Sequence, residues 1–270
     1  MITREEFEAY VPSAVMPDDA LFDRIADFMT QGVDVVKSIL GALWGEHTED
    51  IALMRLCHRL ICLEAYHRAI PHLDLVLTEN GFGVVNNQNV APASADRVKR
   101  LQQRVQDERD DAIDDLIDYL RGNDDWASTV EALSLLGSLV WNAHRQLPLL
   151  GFMDGHRTKL TELRPKINGA EEVIKQKISA SLFHELCSAI RLREETELQN
   201  RAISQARLFL GAYISGDHQL ARLHMSKLVE FLEGHLDSFA TYAASSAHAA
   251  NSFTHYENKK DDPCYFFGQR

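Results

Sequence analysis

Ile39-Leu40-Gly41-Ala42-Leu43-Trp44 (ILGALW) and Ile178-Ser179-Ala180-Ser181-Leu182-Phe183 (ISASLF) are two spellings of one helical phrase, about half the chain apart. Each follows Val-Val-Lys or Val-Ile-Lys, at Val35 to Lys37 and Val173 to Lys175. Each precedes a stretch with Leu-x-Ala-Tyr, LEAY at Leu63 to Tyr66 and LGAY at Leu210 to Tyr213. One unit used twice points to a scaffold built by duplication. Trp44 and Tyr66 in the first copy, and Phe183 and Tyr213 in the second, are the large side chains expected to fill the repeat core.

Outward from these phrases the apolar spacing is helical. Leu21, Ile25, Phe28, Met29, Val33, Val36, Leu40 and Leu43 recur mostly at three- and four-residue steps. A second helix is expected from about 50 to 70, stopping at Pro71, with Leu53, Leu56, Leu60 and Leu63 on one face. Residues 78–93 (TENGFGVVNNQNVAPA) break the pattern as a long polar loop, a length often tied to function. Ser94 then caps a third helix that ends at Gly122. Ser128 and Glu131 spell a capping box ahead of an apolar helix expected to end at Pro148. The second copy should hold one helix through Leu160 to Leu182, one near 194–215 and one near 217–243. Alternating β-branched runs are missing, so the expected fold is all-α. Its expected parts are a first bundle over 1–124, a bridging helix and linker over 125–156, a second bundle over 157–250 and an extended arm over 251–270.

The 270 residues carry a formal net charge of −12, which argues against a nucleic-acid reader, since such proteins need a basic face to displace counterions. No run of about 18 apolar residues is present, so no membrane span is expected. Thr3-Arg4-Glu5-Glu6 does not read as a secretory signal. Cys57, Cys62, Cys187 and Cys264 show no CxxC pair and read as reduced thiols.

Several constellations bear on chemistry. Glu64 and His67 make an E-x-x-H step, and His58 with Cys62 could offer two ligands from one helix face. Together they define an alternative reading, a cytosolic metal-dependent all-α enzyme. The second copy places Gly211 where the first has Glu64, so that site is not duplicated. Gly81-Phe82-Gly83 lacks the context of a phosphate loop. The preferred reading is not an enzyme and expects no cofactor and no metal. Asp107, Asp110, Asp111, Asp114, Asp115 and Asp118 are expected on one solvated helix face, or facing the lumen of a ring. Phe82 and Val84 in the loop and Tyr265, Phe266 and Phe267 near the end are expected docking residues between subunits, because such side chains are costly to leave in water.

The repeat unit resembles the head–tail connector (neck or adaptor) proteins of tailed bacteriophages. The resemblance is carried by Leu40 to Trp44, Leu63 to Ile70, and the polar loop and charged helix over 78–121. Trp126 with Ser128, the stretch Arg157 to Ile167, and the ending Tyr265 to Gly268 resemble a tandem version of that family. The second copy departs from the pattern, with Ala180 for Gly41 and no asparagine-rich loop after Tyr213. What the resemblance implies is a virion protein of the neck, made in the host cytoplasm. It implies a homo-oligomeric ring, commonly twelvefold, with portal and tail or neck proteins as partners and DNA passing through the lumen. An assembly factor absent from the particle is a third reading.

Overall fold

The apolar spacing that runs through the sequence folds into helices almost everywhere. The computed structural model describes residues 2–14, 16, 19–45, 49–73, 76–78, 81–83, 94–141, 143–153 and 155–252. Thr3 opens the chain with a capping box: its hydroxyl accepts from Glu6 N, and the Glu6 carboxylate accepts from Thr3 N, starting α1 (Arg4–Tyr10). Next come α2 (Asp19–Ala26), α3 (Met29–Leu40), a 3₁₀ turn (Gly41–Leu43) and the long α4 (Ile51–Leu73). A short antiparallel hairpin pairs β1 (Val76–Thr78) with β2 (Gly81–Gly83), Leu77 opposite Phe82. Then follow α5 (Ala95–Leu120), α6 (Asp124–Ala127), α7 (Val130–Leu136) and a 3₁₀ segment (His144–Leu150). The rest comprises α8 (Arg157–Ile178), α9 (Ala180–Leu192), α10 (Glu197–Ile214), α11 (His218–Glu233), a 3₁₀ turn (Leu236–Ser238), α12 (Ala240–Ala243) and α13 (Ser246–Asn251).

Two arrangements recur. The LEAY helix α4 packs between α3 and α5, and the LGAY helix α10 packs between α8 and α11. The 3₁₀ segment 144–150 lies against α5, α8 and α10, joining the two groups. Buried apolar side chains from both groups form one contiguous cluster, including Phe7, Leu60, Leu116, Trp126, Phe183 and Tyr242. Trp126 Nε1 donates to Ile39 O, so the short α6 is tied to the last turn of α3.

Close approach at two glycines sets these packings. A Cβ built on Gly32 of α3 would fall 2.7 Å from Ile61 O of α4, and one on Gly211 of α10 would fall 2.5 Å from Leu150 O. Gly211 thus stands where the first copy has Glu64 because the 3₁₀ backbone passes directly over it.

The structure departs from the sequence reading at several ends. Pro71 lies inside the last turn of α4, which continues to Leu73; a proline there forfeits only one terminal hydrogen bond. Ser128 closes α6, and Thr129 caps α7 by accepting from Ala132 N, because the buried Trp126 turn shifts the cap by one residue. The Glu131 carboxylate instead lies against Gly41, whose φ of 59° disfavours any side chain there. The apolar run after Ser128 is helical only to Leu136, and Pro148 sits within the 3₁₀ segment. The expected helix through Leu182 breaks at Ser179, whose φ is 79° and whose hydroxyl caps α9 by accepting from Leu182 N. The last long helix ends at Glu233, before Gly234. Part of the expected loop 78–93 lies in the hairpin, where the β-branched Val76 and Thr78 suit a strand.

Of the expected repeat core, Phe183 and Tyr66 are buried and Trp44 is half-buried against the core. Tyr213 is a correction: it is 37% exposed and lies beside the Phe209 and His218 rings on the outer side of α10.

Two glycine substitutions should move stability in opposite directions. Gly211→Ala, which drives a methyl into Leu150 O, should cost about 1–3 kcal/mol. Gly169→Ala, inside α8 with nothing within 4 Å of the new methyl, should gain about 0.5–1 kcal/mol from helix propensity. Urea unfolding of both variants checks this, and equal shifts would refute the packing argument.

Candidate functional site

The charged face of α5 does not point into solvent as a row. Asp110 and Asp114 are each only 1% exposed, which corrects the expectation that they belong to a solvated or lumenal face. Their neighbours are also committed. Asp115 takes Arg59 of α4 at 2.7 Å and Arg145, Asp111 takes Arg145 at 3.1 Å, and Asp118 takes Arg193 at 2.6 Å and Arg121 at 3.3 Å. Asp107 lies 3.3 Å from His156 Nδ1. A carboxylate-rich face is stable here because arginines from other elements answer it, and charges lose water only when paired.

At the centre stands Glu64 of α4, also 1% exposed. Its Oε1 accepts from Arg68 Nε at 2.6 Å and its Oε2 accepts from Arg109 Nε. Burial pushes the Glu64 carboxyl up, but Arg109 and Arg68 outweigh it and hold it below the ordinary carboxylate value. Arg109 also donates to Asp110 Oδ1 at 3.0 Å, while burial holds Asp110 above its ordinary value. One helical turn on, Asp114 Oδ1 accepts from Arg157 Nη1 at 2.9 Å, and Oδ2 accepts from Arg145 N at 3.1 Å. His144 Nδ1 lies 2.9 Å from the same Oδ2 as an ion-pair contact, and the Asp114 carboxylate holds His144 above its ordinary value. The network therefore joins α4, α5, the 3₁₀ segment and the start of α8. Beside it a cleft of about 410 Å³ opens between α5 and α8, lined by Gln106, Arg109, Asp110, Arg157, Thr158 and Thr161.

A second buried carboxylate does similar work. Glu171 Oε1 accepts from Ser138 Oγ at 2.6 Å and from Leu139 N at 2.9 Å, while Arg164 donates to Val140 O and Arg207 to Leu139 O. Burial raises Glu171 above its ordinary value. These bonds satisfy the irregular backbone at 138–140, which no helix ladder serves.

The alternative metal-ligand set is not assembled. Glu64 spends both oxygens on arginines, and burial pushes the Cys62 thiol up to about 12. Among the described residues no three His, Cys, Asp or Glu side chains come together as metal ligands. Of the expected docking residues, Phe82 falls in β2, and Val84, Tyr265, Phe266 and Phe267 lie outside the described residues. Sequence reading missed Arg109, Arg145 and Arg157 as partners of the acidic face. Their only signal was that so many like charges on one helix need compensation.

The class defined by this architecture is an all-α protein held by a buried ionic junction. Residues 20–132, from α2 to the first residues of α7, match a family of unknown function (DUF6712). The matched span contains the first copy of the repeat, with Glu64, Arg109 and the whole of α5. No curated protein and no solved structure matches the chain.

Two measurements test the junction. Glu64→Leu leaves Arg109 buried beside no acceptor on α4 and should cost about 3–5 kcal/mol, whereas Glu64→Leu with Arg109→Met should recover much of it. Urea midpoints showing the double variant as unstable as the single one would contradict the pairing. His144 contributes stability fully present below its unfolded value near 6.5 and lost as pH rises through its raised folded value. The melting advantage of wild type over His144→Gln should therefore be full below about pH 6.5 and shrink as pH rises above it, and a constant gap would rule out a charge-dependent contact.

Proposed function

We propose that this chain is a virion structural protein, a head–tail connector or adaptor of a tailed phage that assembles as a ring below the portal. In that role copies of the chain contact one another, the portal and the tail or neck proteins, and DNA passes through the lumen without specific recognition. The observation that carries the reading is how the charged residues are spent. Glu64, Asp111, Asp114, Asp115 and Glu171 are engaged in joining one element to another, which is the work of a scaffold.

The recurrence of a central Leu-x-Ala-Tyr helix between two partners supports the duplicated-scaffold part of the proposal. Large apolar side chains at the surface, among them Ile51, Val130 and Met153, supply contact area for neighbouring copies. No helix among the described residues is long and apolar enough to cross a membrane. Because Asp110 and Asp114 are buried, the lumen surface is not assigned to them.

Negative-stain microscopy of the purified chain, alone and with portal, should show rings or a collar. Deleting 252–270 should leave the helical circular dichroism intact while weakening assembly in light scattering. Wild-type protein that stays a monomer and adds nothing to portal particles would sink the proposal.

A further inference from the structure

Helix α13 ends at the rim of a groove. Its last residue, Asn251, donates through Nδ2 to Lys177 O at 2.9 Å and to Tyr242 Oη at 3.0 Å. Tyr242 is fully buried and donates in turn to Glu233 at 2.6 Å, so the end of α13 is pinned to α8 and to the core. The same Asn251 lines a groove of about 650 Å³, together with Lys177 of α8 and Arg222, Met225, Ser226, Val229 and Glu230 of α11.

The groove has a definite chemistry. Met225 and Val229 stand one helical turn apart and form an apolar strip, and Arg222 extends the same line by a further turn. Lys177 and Arg222 are exposed and make no ion pair among the described residues, against one lining carboxylate, Glu230. Two unanswered cations side by side are conspicuous on a chain with 40 acidic and 28 basic residues. An occupant with an apolar side chain followed by a carboxylate suits this surface. A phosphate would satisfy the cations but leave the Met225 and Val229 strip without a partner.

The sequence itself continues from Asn251 with such a segment. Phe253-Thr254-His255-Tyr256-Glu257 lie outside the described residues, and their attachment point fixes their reach. At about 3.6 Å per residue, the Cα of Phe253 stays within about 7 Å of that of Asn251, and the Cα of Glu257 within about 22 Å. Few surfaces lie that close to Asn251, and the groove that it lines is one of them. An aromatic ring gains from leaving water, and Phe253 gains most cheaply at an apolar strip next to its own anchor.

We infer that residues 253–257 dock in this groove of their own chain, with Phe253 on Met225 and Val229 and the Glu257 carboxylate on Arg222. The contact lies within one chain, so it goes beyond the ring reading and does not depend on it. It gives the remaining arm, 258–270, a fixed point of departure beside α11. An arm anchored at its base loses less freedom when its far end binds.

The test is disulfide trapping in the full chain carrying C264S, where the other cysteines, Cys57, Cys62 and Cys187, are buried. Under mild oxidant S226C/T254C should close an intramolecular disulfide at least roughly tenfold faster than S204C/T254C, since docking raises the local concentration at one site only. Ser204 lines a different groove, between α10 and α11. F253S and R222E should each slow the Ser226 trapping roughly fivefold with unchanged helical circular dichroism, and R222E/E257R should restore the rate. Deleting 253–270 should also speed hydrogen exchange across 222–230. Equal trapping at positions 226 and 204, or undiminished trapping in F253S, would overturn the docking. Undiminished trapping in R222E would overturn the Glu257 contact. A disulfide between chains in place of the internal one would give the groove to the tail of a second copy and overturn docking within the chain. Internal trapping in a protein that never forms rings would uphold this contact while the ring proposal fails.

Discussion

The buried contact between Glu64 and Arg109 fixes how α4 and α5 sit against each other. A carboxylate that is 1% exposed must be answered by a cation or return to water, and Arg109 is the answer that α5 brings. Once α5 is held at that rotation, Asp110 and Asp114 cannot face outward; they turn toward the 3₁₀ segment and the start of α8. His144, Arg145 and Arg157 then become necessary, because each acidic side chain drawn inward requires a partner. The pairing in the first copy therefore reaches into the opening turn of the second.

The second copy solves the same problem by shape. Where α4 carries Glu64, α10 carries Gly211, and the Leu150 backbone fills the space that a side chain would need. Charge fixes the register in one copy and close approach fixes it in the other. Buried side chains from both helix groups meet in one cluster.

Periodicity made the all-α class legible, because long amphipathic and buried helices repeat their apolar residues over many turns. It was far less informative at the ends. Ser179 breaks α8 from α9 although nothing in ISASLF demands a left-handed serine, and Thr129 rather than Ser128 caps α7 because a tryptophan several residues away is buried. The acidic face was legible as composition but not as environment: Asp110 and Asp111 look alike in sequence, and only the arrival of α8 and the 3₁₀ segment separates them. Tyr213 shows the converse, since a shared motif does not imply a shared environment when one copy's helix presents that position outward.

The ionic junction also imposes an order in time. Asp114 precedes Arg145 by 31 residues and Arg157 by 43, so α5 leaves the ribosome well before the cations that will neutralise it. At typical synthesis rates of about 5–20 residues per second, that interval lasts on the order of seconds. Throughout it the nascent first copy has an acidic helix lacking its cover from the 3₁₀ segment and α8. The two copies are thus unequal in birth order: the earlier one completes its structure only when the later one begins.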